Sequence, residues 1–165
     1  MVTPALAALW WLPFVSVICV WVAWSDMATM KIPNRAVLAL LAVFLVVGPF
    51  VLPLSDWLWR WAHLGVVLVI GILANAVRIV GAGDAKFAAA AAPFVAVGDL
   101  LVVLVILSAA AILGYLGHRL AKNTGLRRLV PHWQSWSSGK RFPMGLPLAI
   151  TLVAYLALAA FPPVV

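Results

Sequence analysis

Carboxylates are nearly absent from this chain of 165 residues: there are four, all of them aspartate (Asp26, Asp56, Asp84 and Asp99), against eleven lysines and arginines. Charged residues make up 9%, where an ordinary soluble domain carries about 25%, so a water-solvated globule is excluded. A single cysteine, Cys19, excludes an internal disulfide, a zinc ribbon and any Cys-x-x-Cys site. His63, His118 and His132 lack ligand spacing, and neither a metal nor a cofactor is expected. Apolar runs consume most of the length, which leaves no room for a large soluble catalytic domain. Residues 1–165 are therefore read as one polytopic membrane domain.

What the chain has in quantity is hydrophobic, at 67% of residues. A helix needs about 20 apolar residues to cross a bilayer core of roughly 30 Å, and about six such stretches are present. They run from Ala5 to Trp24, Ala36 to Leu54, Trp61 to Val80, Ala85 to Val97, Leu100 to Gly117 and Met144 to Phe161. The fold class expected is an all-α integral membrane protein. The first stretch has no charge before it and no Ala-x-Ala-like site after it, which argues for a retained helix. The fourth is short, and either the bilayer thins there or the helix begins below the headgroups in a wet cavity.

Basic residues are retained on the cytoplasmic side during insertion. With both termini outside, Lys31, Arg35, Arg78, Lys86, Arg119, Lys122, Arg127, Arg128, Lys140 and Arg141 all fall inside, and Arg60 alone falls in an outer turn with Asp56. The formal charge of +7 is thus read as topology, and no nucleic-acid partner is expected. The nine tryptophans fall near the proposed boundaries, where indole anchors in the headgroup region. The long inner loop from His118 to Phe142, interrupted by Leu126, Leu129, Val130, Trp133 and Trp136, is expected to lie on the bilayer surface.

This topology puts Asp56 and Asp99 in outer turns and Asp26 and Asp84 at the cytoplasmic ends of helices. Carboxylates near hydrocarbon are costly, so they pair, line cavities or do chemistry. A structural role remains open for each: Asp26 paired with Lys31 or facing water, Asp84 capping the fourth helix. Their settings point further. Asp84 ends Gly81-Ala82-Gly83-Asp84, where two glycines permit close approach by another chain. Asp26 precedes Ile32-Pro33-Asn34, in which Pro33 biases Ile32 to extended backbone and Asn34 is a plausible helix cap. Two aspartates that meet can hydrolyse a peptide bond without a metal, because like charges at short range resist ionising together and one keeps its proton.

These residues resemble the type IV prepilin peptidases, membrane aspartic peptidases with a Gly-x-Gly-Asp motif. Asp26 followed by Ile32-Pro33-Asn34 is similar to the family's first aspartate and its Ile-Pro-Asn. Gly81, Gly83, Asp84 and Lys86 are similar to its Gly-x-Gly-Asp-x-Lys. Phe142-Pro143-Met144-Gly145 resembles a late Pro-Tyr-Gly element, with Met144 in place of tyrosine. Met27, Ala28 and Met30 depart from the more basic stretch usual there. The chain looks like the short Flp or Tad-type form, without methyltransferase cysteines, so cleavage without N-methylation is expected.

The resemblance implies Asp26 and Asp84 as catalytic residues, a prepilin with a leader peptide as substrate, and a bacterial cytoplasmic membrane as location. Two other readings carry less of the sequence. One is an intramembrane protease of the presenilin or signal-peptide-peptidase type, whose Pro-Ala-Leu element is missing. The other is a non-enzymatic transport or assembly subunit.

Overall fold

A computed structural model describes residues 1–139 and 141–161; Lys140, one of the basic residues assigned to the inner loop, lies outside the described residues. Six α-helices account for most of them: α1 Ala5–Thr29, α2 Asn34–Val51, α3 Leu54–Ala76, α4 Ala82–Ala91, α5 Leu100–Asn123 and α6 Gly145–Ala160. Short 3-10 turns cover Ala92–Phe94, Val97–Asp99, Gly125–Leu129 and Gln134–Trp136, and no strand occurs among the described residues. Four helical stretches are long and apolar enough to cross a membrane: α1, α2, α3 and Val97–Asn123.

Successive helices alternate in direction, which gives the bundle two ends. One end carries Asp26 and Asp84, and the other, about 30 Å along α1 at 1.5 Å per residue, carries Asp99. Helix α4 sits inside, packed on α3, α2 and α6, while α1 packs on α6 and α2, and α5 packs on α6. Small residues permit that burial: Ala85, Ala89 and Ala90 are buried with Phe87, and a Cβ on Gly71 of α3 would stand 2.9 Å from that of Ala85. Most of the α3 surface is exposed apolar side chain, including Val66, Val69, Ile70 and Leu73.

Several boundaries differ from those expected: α1 runs on past Trp24 to Thr29, α3 stops at Ala76 short of Val80, and α5 continues past Gly117 to Asn123, which makes His118, Arg119 and Lys122 of the expected inner loop helical. Helix α3 begins at Leu54 rather than Trp61, so Asp56, Trp57, Trp59 and Arg60 are helical and only Leu52 and Pro53 separate α2 from α3. Charge at Arg60 reads as a turn in sequence, yet its side chain is buried, donates from Nη1 to the Pro93 carbonyl at 3.1 Å and lies 6.0 Å from the Trp11 ring. Helix α4 ends at Ala91 instead of Val97, and its 10 residues span only about 15 Å. The chain covers the remaining depth as buried irregular backbone, with Pro93, Phe94, Val95 and Ala96 all inside. Non-helical backbone at membrane depth is tolerated where the protein satisfies it. Arg60 serves the Pro93 carbonyl, and the Ala96 N–H donates to Thr3 Oγ1 at 3.2 Å and Tyr155 Oη at 3.3 Å. Helix α6 keeps its expected bounds to within one residue at each end, and its 16 residues fall short of the usual 20 or so.

Tryptophan serves the core as well as the surface. Trp11 is fully buried, with ring centroids 5.8 Å from Phe44 and 5.1 Å from Phe94, so it is a core residue and no lipid anchor. Trp136 is buried too, stacked on His118 at 4.9 Å, while Trp133 meets Trp24 of α1 edge-on at 5.1 Å. The inner loop is therefore held against the helices at these two rings, with Leu129 left exposed.

Candidate active site

Helix α1 carries Asp26 in its last turn. The helix stops at Met30, which takes the left-handed conformation at φ 55° and donates its N–H to the Asp26 carbonyl at 2.8 Å. An extended Ile32-Pro33 segment then leads into α2, with Pro33 immediately before the first helical residue, Asn34. Asn34 makes no capping bond. Its Oδ1 instead accepts from Lys86 Nζ at 3.4 Å, which joins the start of α2 to α4.

Asp84 is the third residue of α4, and Gly81 precedes that helix in extended conformation. The two glycines here are needed for close approach. A Cβ on Gly81 would stand 2.6 Å from Asp84 Oδ2, and one on Gly83 would stand 3.4 Å from the Ile32 Cβ. The segment after Asp26 and the segment before Asp84 thus pack directly against each other.

Both aspartates line one cavity of about 770 Å³ at this end of the bundle. Ile32, Asn34, Gly81, Gly83 and Lys86 line it as well, together with the basic side chains of Lys31, Arg78 and Arg141. Asp26 is only 5% exposed, and its Oδ2 accepts from the Gly145 N–H at 2.6 Å. Asp84 is half-buried. A pair in which one carboxyl holds its proton while the other is ionised has both an acid and a base for hydrolysis.

Asn75 and Arg78 shape the wall. Asn75 Nδ2 donates to the Val80 carbonyl at 2.8 Å, and Arg78 adopts φ 61°, uncommon for a residue with a side chain. This tight reversal brings the chain from α3 back to Gly81. Among the described residues, no three His, Cys, Asp or Glu side chains gather in a way that would hold a metal ion.

Two features escape sequence reasoning. Gly145 appears there only as part of a late motif, and its contact with Asp26 bridges 119 positions. The second lies at the opposite end of the bundle. Asp99, 2% exposed, accepts from the N–H groups of Val2 and Thr3 at 2.8 and 2.9 Å and from Tyr155 Oη at 2.8 Å. It ends the turn Val97–Asp99, as expected, but its carboxylate is buried in a polar knot and does not face water. Thr3 and Tyr155 were its legible signals, as isolated hydroxyls within apolar sequence.

A family model described as the type IV leader peptidase family matches residues 13–116. That is more than half of the chain, and it takes in Asp26, Ile32-Pro33-Asn34 and Gly81-Ala82-Gly83-Asp84. No curated protein and no solved structure matches the chain.

Proposed function

The chain belongs to the type IV leader peptidase family, and we propose that it is an aspartic endopeptidase that removes the leader peptide of a type IV prepilin, of the Flp or Tad-like kind, using Asp26 and Asp84. The observation that carries this reading is that the two aspartates, 58 positions apart in sequence, line one cavity at the same end of the bundle. In the proposed membrane topology both termini face outward and the aspartate end faces the cytoplasm of a bacterial inner membrane. Support for that orientation comes from the basic residues, ten of eleven of which fall on the aspartate side of the chain's alternation. All six helices contribute to the crossing, α4 with the help of its buried irregular extension.

Hydrolysis needs a base for water and an acid for the scissile carbonyl. One carboxylate takes a proton from water as the water oxygen bonds to the carbonyl carbon, and the partner's proton passes to the carbonyl oxygen, giving a gem-diol. The first aspartate then gives its proton to the departing nitrogen as the C–N bond breaks. A gem-diol hydroxyl returns a proton to the second aspartate, and both groups regain their starting states. Because the pair shares one proton, its apparent pKa values belong to both residues together.

The remaining motif residues act on geometry. Gly81 and Gly83 let the start of α4 approach Ile32, and Lys86 ties to Asn34. The test is cleavage of a pilin precursor in proteoliposomes, followed by sequencing of the new N-terminus. A cut between the leader and the hydrophobic helix is expected; a cut within that helix would favour the intramembrane-protease reading.

A further inference from the structure

Beyond the aspartate cavity the bundle has an apolar one of about 580 Å³. Its walls are α3, through Val66 and Val67, and α5, through Leu104 and Leu107. Its floor is α4 and α6, through Phe87 and Ala91 and through Leu148 and Leu152. Helix α3 packs on α4, and α5 packs on α6, so the two walls stand apart with the short helix between them. Val66 and Leu104 are exposed, and the cavity is a trough that opens sideways toward lipid.

The trough runs in line with Asp84. Asp84, Phe87, Ala88 and Ala91 fall at i, i+3, i+4 and i+7 and share one face of α4. On α6, Leu148, Thr151, Leu152 and Tyr155 form one stripe. Met144, which lines the aspartate cavity, stands one turn before Leu148 on the same side. The stripe from Met144 to Tyr155 rises about 16 Å, or three helical turns. A further apolar cavity lies along Cys19, Ala23 and Met27 of α1 and Leu146, Ile150 and Val153 of α6. It uses the opposite face of α6 from Met144 and Leu148, so it does not lead to Asp84.

The occupant that fits the trough is an apolar helix. Ala62, Ala88 and Ala91 let a backbone approach closely while the larger wall residues pack on its sides, as helices associate within lipid. The hydroxyls of the lining are already used, Thr151 on the Pro147 carbonyl and Tyr155 on Asp99. One buried polar atom of the lining has no partner, His63 Nε2. A lipid acyl chain has nothing to offer that atom, whereas a peptide helix with a hydroxyl or amide at that depth does. A precursor cut just before its hydrophobic helix starts that helix at the aspartates and sends it outward, which is the course of the trough.

We propose that the trough between α3 and α5 receives the first turns of the precursor's apolar helix and so holds the scissile bond at Asp26 and Asp84. The inference rests on the peptidase reading for the identity of the occupant.

Disulfide trapping of the full chain in proteoliposomes tests it. In a Cys19→Ser background, Val66→Cys and Leu107→Cys place a thiol on each wall, and Ile150→Cys places one in the cavity on the far face of α6. The probe is a pilin precursor with a single cysteine within three turns after the cut, kept whole by Asp84→Asn. Val66→Cys and Leu107→Cys should trap the precursor, and Ile150→Cys should not. Trapping by Ile150→Cys alone, or by all three equally, overturns the proposal. Trapping of a second peptidase copy in place of precursor overturns it too, as does no trapping at all, the result for a trough filled by lipid.

A kinetic arm reads the same site. Ala62→Leu and Ala91→Leu fill the trough, and each should raise KM for the precursor by about 10-fold or more with a smaller change in kcat. An unchanged KM in the folded variants overturns the proposal; if Ala91→Leu does not fold, Ala62→Leu, at an exposed position, decides. Wall trapping by a chain whose wild type cuts no precursor would refute the peptidase reading and leave a helix-binding trough. Normal cleavage with trapping at Ile150→Cys alone would refute the trough and leave the peptidase reading.

Discussion

Lys86 reaches from α4 to the first residue of α2, its Nζ 3.4 Å from Asn34 Oδ1. This contact joins the two motifs that hold the aspartates, and it replaces the capping role that the sequence suggests for Asn34. The bond is exposed and long, so each single change, Lys86→Met or Asn34→Ala, should cost less than about 0.5 kcal/mol of stability. Its role is alignment. A double-mutant cycle on precursor cleavage should show the two changes to be non-additive, whereas additive losses would separate the two residues.

At the far end of the bundle, Tyr155 donates to Asp99 and accepts from the Ala96 N–H, with Thr3 hydrogen-bonded to its hydroxyl. Tyr155→Phe strips this buried knot of its central hydroxyl and should cost about 1 to 3 kcal/mol of stability. Because the knot is distant from the aspartate cavity, kcat measured below the melting range should stay near wild type. A large fall in kcat without loss of stability would show coupling between the two ends.

Membrane orientation is open to a labelling test, since Cys19 is the one cysteine to remove. In a Cys19→Ser background, Ser55→Cys at the start of α3 should react with an impermeant thiol reagent added outside intact cells. Thr124→Cys, just beyond α5, should react only after permeabilisation. The opposite pattern would invert the proposed topology.

The number of helices, their order and their alternation are legible from apolar runs and charge. The boundaries that fail do so for physical reasons. Arg60 reads as solvated, yet a carbonyl freed by the irregular chain at Pro93 satisfies it inside the bundle. The alanine-rich run carries hydropathy past the true end of α4, although Pro93 marks the stop. At the site, Asp26, Asp84 and their glycines are legible because each motif is local. The Asp26–Gly145 bond is not, because nothing near either residue in sequence announces a partner 119 positions away.

The most direct test of the whole account is cleavage of a pilin precursor by purified wild type, Asp26→Asn and Asp84→Asn, with a thermal melt recorded for each. The account predicts that wild type cuts the leader while both variants fold, bind precursor and leave it intact, with kcat down by at least about 10³-fold. Cleavage at near wild-type rate by either folded variant would contradict the claim that the two carboxylates are the catalytic pair.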